Sequence, residues 1–104
     1  MSGSTNDKTA LDQLVAMGAD PEVPVAFVNY LYFKDNKEAL SAKSALESQS
    51  SDCQARRSAY DSSWLVTFRV MLRPQLGEIA RMRAELESLA RRLKGEYDGW
   101  EVEI

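Results

Sequence analysis

Histidine is absent from this sequence of 104 residues, and cysteine occurs once, at Cys53. Without histidine, the chain lacks the side chain that most often serves as a general base at neutral pH and as a zinc ligand. A Ser-His-Asp or Cys-His arrangement therefore cannot be built. A single cysteine forms no disulfide within the chain, which is typical of a protein of the reducing cytoplasm. We expect Cys53 to be structural.

Glycine-rich phosphate loops and long apolar runs are also missing. The five glycines are scattered along the chain without phosphate-loop spacing. No apolar run approaches the roughly 18 residues that a membrane helix needs, and the polar start MSGSTNDKT lacks the apolar core of a secretory signal. We therefore expect no catalytic residues, metal ligands, cofactor or membrane segment. Catalysis by carboxylates alone stays formally open because acidic residues are plentiful.

The composition is that of an ordinary globular domain, with 44% hydrophobic and 28% charged residues. The length predicts a single domain over residues 9–104 after a flexible N-terminus at residues 1–8. A net charge of −3 favours solubility and argues against a chain that coats nucleic acid. Residues 96–104 contain four acids and no base, whereas residues 69–94 are rich in arginine. This asymmetry steers a charged partner, or it is an ordinary solvated surface.

Hydrophobic periodicity predicts a helix followed by the order β-α-β-β-α-β. The predicted elements are a short helix from Thr9, a strand at 25–33, a helix at 36–48, a weaker strand at 53–60, a strand at 64–72, a helix at 75–94 and a strand at 97–102. The first and third strands are the most apolar, as central strands are, and the other two are more polar, as edges are. The order predicts an α+β fold: a ferredoxin-like βαββαβ sandwich with an extra N-terminal helix and an antiparallel four-stranded sheet.

Two helices cover only one face of a four-stranded sheet, so the other face needs an explanation. Tyr30 and Tyr32 share one face of the first strand, and Thr67 and Arg69 share one face of the third. If these faces coincide, they carry residues enriched in protein interfaces that also resemble the base-stacking platform of RNA-binding sheets. The acidic net charge and the missing RNP-type motif argue against RNA. Cover by the first helix and a homodimer contact are the remaining alternatives.

The segment GEYDGWE, which follows the last helix, is the most specific string in the sequence. With MGADPEVP, VNYLYF, WLVTFRV and the helix RPQLGEIARMRAELESLARRL, it makes residues 11–102 resemble the family of the regulator of ribonuclease E activity B. Its best markers are Gly18 to Pro21 and Tyr97 to Trp100. The resemblance implies a ferredoxin-like bacterial protein that binds an endoribonuclease and inhibits it without catalysis. The name-giving members continue into a long acidic tail; if that tail helps to bind the nuclease, inhibition does not transfer to a chain ending at Ile104.

The Asp98-Gly99 pair permits a turn or bulge with a positive φ at glycine. Tyr97 or Trp100 would then pack against the end of the long helix or project towards a partner. The candidate partner-binding residues are Tyr30, Tyr32, Arg69, Tyr97, Asp98, Trp100 and Glu101. We expect a protein partner, with an endoribonuclease as the first candidate, and neither a nucleic acid nor a membrane. The alternatives are an immunity or antitoxin-type binding protein and an RNA-binding domain that uses the open sheet face.

Overall fold

Helices and strands follow the predicted order in a computed structural model that describes residues 3–49, 52–59 and 61–103. The elements are α1 (Gly3–Ala16), β1 (Val25–Phe33), α2 (Asn36–Glu47), β2 (Cys53–Arg57), β3 (Trp64–Leu72), α3 (Leu76–Arg92) and β4 (Glu96–Glu103). The end predicted for the second strand, Tyr60, lies outside the described residues. None of the helices described is long and apolar enough to cross a membrane.

The described strands form a four-stranded antiparallel sheet in the order β2-β3-β1-β4. The central strands β1 and β3 pair along their whole lengths, from Val25 opposite Leu72 to Phe33 opposite Trp64. The two apolar strands are therefore central and the two polar strands are edges, as predicted. This strand order and the βαββαβ connectivity are those of a ferredoxin-like sandwich, so the α+β fold is confirmed.

One face of the sheet carries the hydrophobic core, which lies under α2 and α3. The apolar stripe of α3 packs on this face of the sheet, with Leu93 partly buried at its end. The buried side chains come from both central strands and both helices: Phe27, Leu31, Phe33, Val66, Phe68, Ala39, Ala42, Leu46, Ile79, Met82, Leu86 and Leu89. Because burying a large apolar side chain contributes roughly 1.5–3 kcal/mol, this face supplies most of the hydrophobic stabilisation.

The first helix differs most from the prediction. It begins at Gly3, well before the predicted start at Thr9, so the helix includes residues 3–8 of the segment expected to be flexible. Met1 and Ser2 lie outside the described residues. The helix packs against α3 and does not cover the open face of the sheet, which removes one alternative for that face.

A buried ion pair explains why α1 starts early. The Asp7 carboxylate, with its side chain only 3% exposed, accepts two 2.7 Å hydrogen bonds from Nε and Nη2 of Arg83 on α3. It also accepts a 3.0 Å hydrogen bond from Nε1 of Trp100 on β4. A bidentate pair of this kind is strong and directional. Asp7 therefore fixes the start of α1 to both α3 and β4.

The turn after α3 is formed by Lys94 and Gly95. The residue with positive φ is Lys94, at 62°, and Gly95 follows it and donates a 2.7 Å hydrogen bond from its amide to the Ala90 carbonyl. Gly95 is required for a different reason: a Cβ there would overlap the ring of Phe33 and the carbonyl of Tyr32. This close approach brings the chain against the end of β1, where β4 begins.

We predict that Asp7→Ala lowers the free energy of unfolding by about 3 kcal/mol, because it leaves the Arg83 guanidinium, 16% exposed, without its main partner. Asp12→Ala is the matched control on the same helix, since Asp12 is exposed and pairs only with Lys8 in the described contacts. It should cost less than about 0.5 kcal/mol. Urea denaturation followed by circular dichroism measures both values. Equal losses of unfolding free energy in the two variants would contradict this role of Asp7.

Candidate functional site

No described helix lies over the sheet face opposite the core, which we call the open face. The register places Tyr30 opposite Thr67 and Val28 opposite Arg69, so the two predicted faces coincide. Paired residues of adjacent strands point to the same side of a sheet. The open face is formed by Ala26, Val28, Tyr30 and Tyr32 of β1, Leu65, Thr67, Arg69 and Met71 of β3, Gln54 and Arg56 of β2, and Glu96, Glu101 and Glu103 of β4.

Tyr30 is fixed on this face by a carboxylate. Its hydroxyl donates a 2.6 Å hydrogen bond to Oε2 of Glu101 on the neighbouring strand β4. This hydrogen bond, together with partial burial and the negative charge of Glu101, raises the pKa of Tyr30 to about 12. Tyr30 is therefore neutral at physiological pH. Because the hydroxyl carries no positive charge, it does not compensate the negative charge of Glu101.

Arg69 is held at both ends of its guanidinium. Its Nε donates a 2.8 Å hydrogen bond to Oε1 of Glu103, which requires the side chain to reach across β1 to β4. Its Nη1 lies 3.4 Å from Oδ2 of Asp52, which directly precedes β2. The hydrogen bond to Glu103 and the charges of both acids raise the pKa of Arg69. The side chain is still 41% exposed, so it is positioned but accessible.

The charges of the open face are separated between its two edges. Strand β4 carries the three glutamates of the face, and Asp98 lies beside them on the same strand. On the other edge, β2 contributes Arg56. The face is thus acidic along β4 and basic along β2, with the two tyrosines between them.

A β-bulge divides β4 and decides which of its side chains reach the open face. Tyr30 is opposite Gly99 and Leu31 is opposite Tyr97, so Asp98 is the extra residue. Gly99 has a φ of 111°, which confirms the predicted glycine-dependent bulge. Because side chains alternate along a strand, Tyr97 would share a face with Glu101 without the bulge. The extra residue turns Tyr97 to the helix side.

Tyr97 and Trp100 therefore do not join the other candidate residues. The Tyr97 hydroxyl donates a 2.6 Å hydrogen bond to Oδ1 of Asn29, and its ring lies 5.3 Å from the Arg83 guanidinium. The Trp100 ring packs 5.1 Å from that of Phe27. Of the predicted site residues, the structure brings Tyr30, Tyr32, Arg69 and Glu101 together on the open face and leaves Asp98 exposed at the edge. Tyr97 and Trp100 attach β4 to the core.

Polar side chains that were not predicted from the sequence support this arrangement. Asn29 is fully buried in the middle of β1 and donates from Nδ2 to the Phe68 carbonyl at 3.3 Å. A lone asparagine in an otherwise apolar strand was the available signal, since a buried amide must find partners. Asp7 and Arg83 gave no signal, because they are 76 positions apart in the chain.

The cysteine of the chain, Cys53, is buried. Burial raises the pKa of the Cys53 thiol to about 11, so the thiol is protonated at neutral pH and is a poor nucleophile. Among the described residues, no group of three histidine, cysteine, aspartate or glutamate side chains is arranged to hold a metal ion.

We predict that Glu101→Gln lowers the pKa of Tyr30 from about 12 towards its ordinary value of 10, because the variant removes the negative charge. The pKa of Tyr30 is higher in the folded than in the unfolded protein. The stabilisation from its contact with Glu101 is therefore complete below pH 10 and is lost as the pH rises towards 12. The difference in tyrosinate absorbance between each protein and its Tyr30→Phe counterpart isolates this titration. Glu96→Gln, on the same strand and face, should leave it unchanged, whereas an unchanged titration in Glu101→Gln would contradict the contact.

Comparison with known proteins identifies the family. No curated protein sequence matches this chain significantly. A family model described as "Regulator of ribonuclease activity B" matches residues 4–102, which is nearly the whole chain. The match confirms the resemblance seen in the Gly18 to Pro21 and Tyr97 to Trp100 segments. The chain therefore belongs to the family of the regulator of ribonuclease activity B.

Proposed function

We propose that this protein is a non-catalytic cytoplasmic regulator that binds an endoribonuclease of the RNA-degradation machinery and inhibits it. The family assignment supports a role in regulating ribonuclease activity. The open face supports the proposal further, because Tyr30, Tyr32 and Arg69 are accessible on the two central strands and none of the described helices lies over them.

The geometry of the open face favours binding to a protein. Tyrosine and arginine are among the residues that contribute most to protein interfaces. Tyr30 is fixed by Glu101, and Arg69 is fixed by Glu103 and Asp52. Side chains that are held in place before binding lose less conformational entropy when a partner arrives. The open face is therefore prepared for an interface in its free state.

Direct binding of RNA is the weaker alternative. The tyrosines favour it, since bases stack on aromatic rings. However, three glutamates of β4 share the face with them, and carboxylates repel the phosphates that supply most of the affinity for nucleic acid. An immunity or antitoxin-type role would use the same kind of protein surface, and the family match favours the ribonuclease as the partner.

The proposal predicts that the purified protein slows cleavage of a single-stranded RNA by the endoribonuclease of the same cell. Tyr32→Ala and Arg69→Ala should each raise the concentration for half-inhibition about fivefold or more, because truncating an interface residue of this type costs about 1 kcal/mol or more.

Leu40→Ala and Arg81→Ala are matched controls, since both residues are exposed but lie on the helix layer. They should leave inhibition unchanged, and thermal melts should show that all four variants stay folded. Absence of inhibition by the unchanged protein would refute the proposal. Loss of inhibition in the helix variants alone would refute the assignment to the open face.

A further inference from the structure

The outer edge of β4 has backbone groups available for pairing. In the described part of the chain, β4 pairs with β1 alone, so its other side presents N–H and C=O groups. An edge strand of this kind is a template for an additional strand. The register with β1 is regular from Gly99 to Glu103 and is interrupted by the bulge at Asp98. The pairing segment that this edge offers is therefore residues 99–103.

The charge of this edge determines which strand fits it. Residues 96–103 contain four acidic side chains and no basic one. The neutral Tyr30 does not compensate Glu101, and Arg69 is shared between Glu103 and Asp52. Glu101 and Glu103 are two residues apart and lie on the same face. Basic side chains at alternate positions of an added strand would stand opposite them, and opposite charges in such cross-strand pairs are stabilising.

The same charges disfavour the other occupants of the edge. A second copy pairing through its own β4 would place acids opposite acids, which is destabilising. Strand β2 of a second copy, which carries Arg56 and Arg57, has a complementary charge, but that contact would be head-to-tail and would leave a free edge on each copy. RNA is disfavoured because its phosphates would be repelled by the carboxylates of β4.

We propose that β4 takes up, as a fifth strand, an extended segment of a partner protein that carries lysine or arginine at alternate positions. Strand addition of this kind takes its affinity from backbone hydrogen bonds and its specificity from alternate side chains. The assignment of this segment to the regulated ribonuclease rests on the function proposed above. The edge then complements the open face: Arg69 and the tyrosines contact the body of the partner while β4 pairs with its extended segment.

The test uses a short fluorescent peptide that alternates lysine and threonine, and its binding is followed by fluorescence anisotropy at low salt. Two peptides serve as controls: one with glutamate in place of lysine, and one with the same charges but an N-methylated backbone. We expect the lysine peptide to bind and both controls to bind at least about tenfold more weakly. Equal binding of the N-methylated peptide would show attraction by charge alone and would overturn strand addition.

Variants of the protein locate the contact. Glu101→Gln combined with Glu103→Gln should weaken binding of the lysine peptide about tenfold, because it removes two cross-strand ion pairs that each strengthen binding a few-fold. Glu47→Gln combined with Glu85→Gln removes the same charge from the exposed helix layer and should have little effect. Equal weakening by both double variants would overturn the assignment to β4. The assignment to β4 would also be overturned if the lysine peptide failed to bind or if a single-stranded RNA bound preferentially. Self-association in sedimentation experiments that the peptide does not displace would overturn it as well.

The two proposals fail in different ways. If the protein inhibits the nuclease but the peptide shows neither charge preference nor dependence on Glu101 and Glu103, strand addition is wrong and the regulatory function stands. If the peptide binds as described but the protein has no effect on the nuclease, the edge site stands and the function proposed for the protein is wrong.

Discussion

The structure depends on one constraint: a four-stranded sheet has two faces, and α2 and α3 lie over only one of them. Side chains alternate along each strand, so every second residue of β1 and β3 enters the core and the residues between them do not. The core side therefore uses Phe27, Leu31 and Phe33, whereas the other side shows Tyr30 and Tyr32. A strand as apolar as VAFVNYLYF is suited to this arrangement, because two of its outward residues, Tyr30 and Tyr32, are large and amphipathic. The open face follows from the topology, and it carries tyrosine and arginine, which are enriched in protein interfaces.

A chain of polar contacts inside the molecule holds the edge of that face in place. The buried Asn29 accepts the hydroxyl of Tyr97, the Arg83 guanidinium lies over the Tyr97 ring, and Asp7 joins Arg83 to Trp100. The contacts link α1, α3, β1 and β4. Such a network is stabilising only when its buried members are satisfied, and no buried side-chain nitrogen or oxygen of the described residues lacks a partner. Strand β4, which carries the acids of the open face, is thus anchored from the core side.

The sequence was sufficient to predict features that depend on local periodicity. The order of the elements and the central strands follow from alternation and helical spacing, and so does the pairing of Tyr30 with Tyr32 on one face of β1. That Arg69 of β3 lies on the same side depends on the register between the two strands, which alternation within one strand does not determine. The face of Tyr97 could not be predicted in the same way, because one extra residue at Asp98 reverses the alternation. The predicted start of α1 was wrong because the observed start depends on an ion pair between Asp7 and Arg83. This ion pair produces no hydrophobic periodicity in the sequence around either residue. Contacts between residues this far apart in the sequence depend on the tertiary structure.

The central claim is that the open face, and not the helix layer, meets the ribonuclease. Hydroxyl-radical labelling of the protein alone and in its complex with the endoribonuclease tests this directly, because two exposed methionines provide an internal comparison. Met71 lies on the open face and is 54% exposed, whereas Met17, which follows α1, is 73% exposed. We expect Met71 and Tyr32 to become protected in the complex while Met17 and Leu40 stay reactive. Protection of Met17 and Leu40 with an unchanged Met71 would contradict the account.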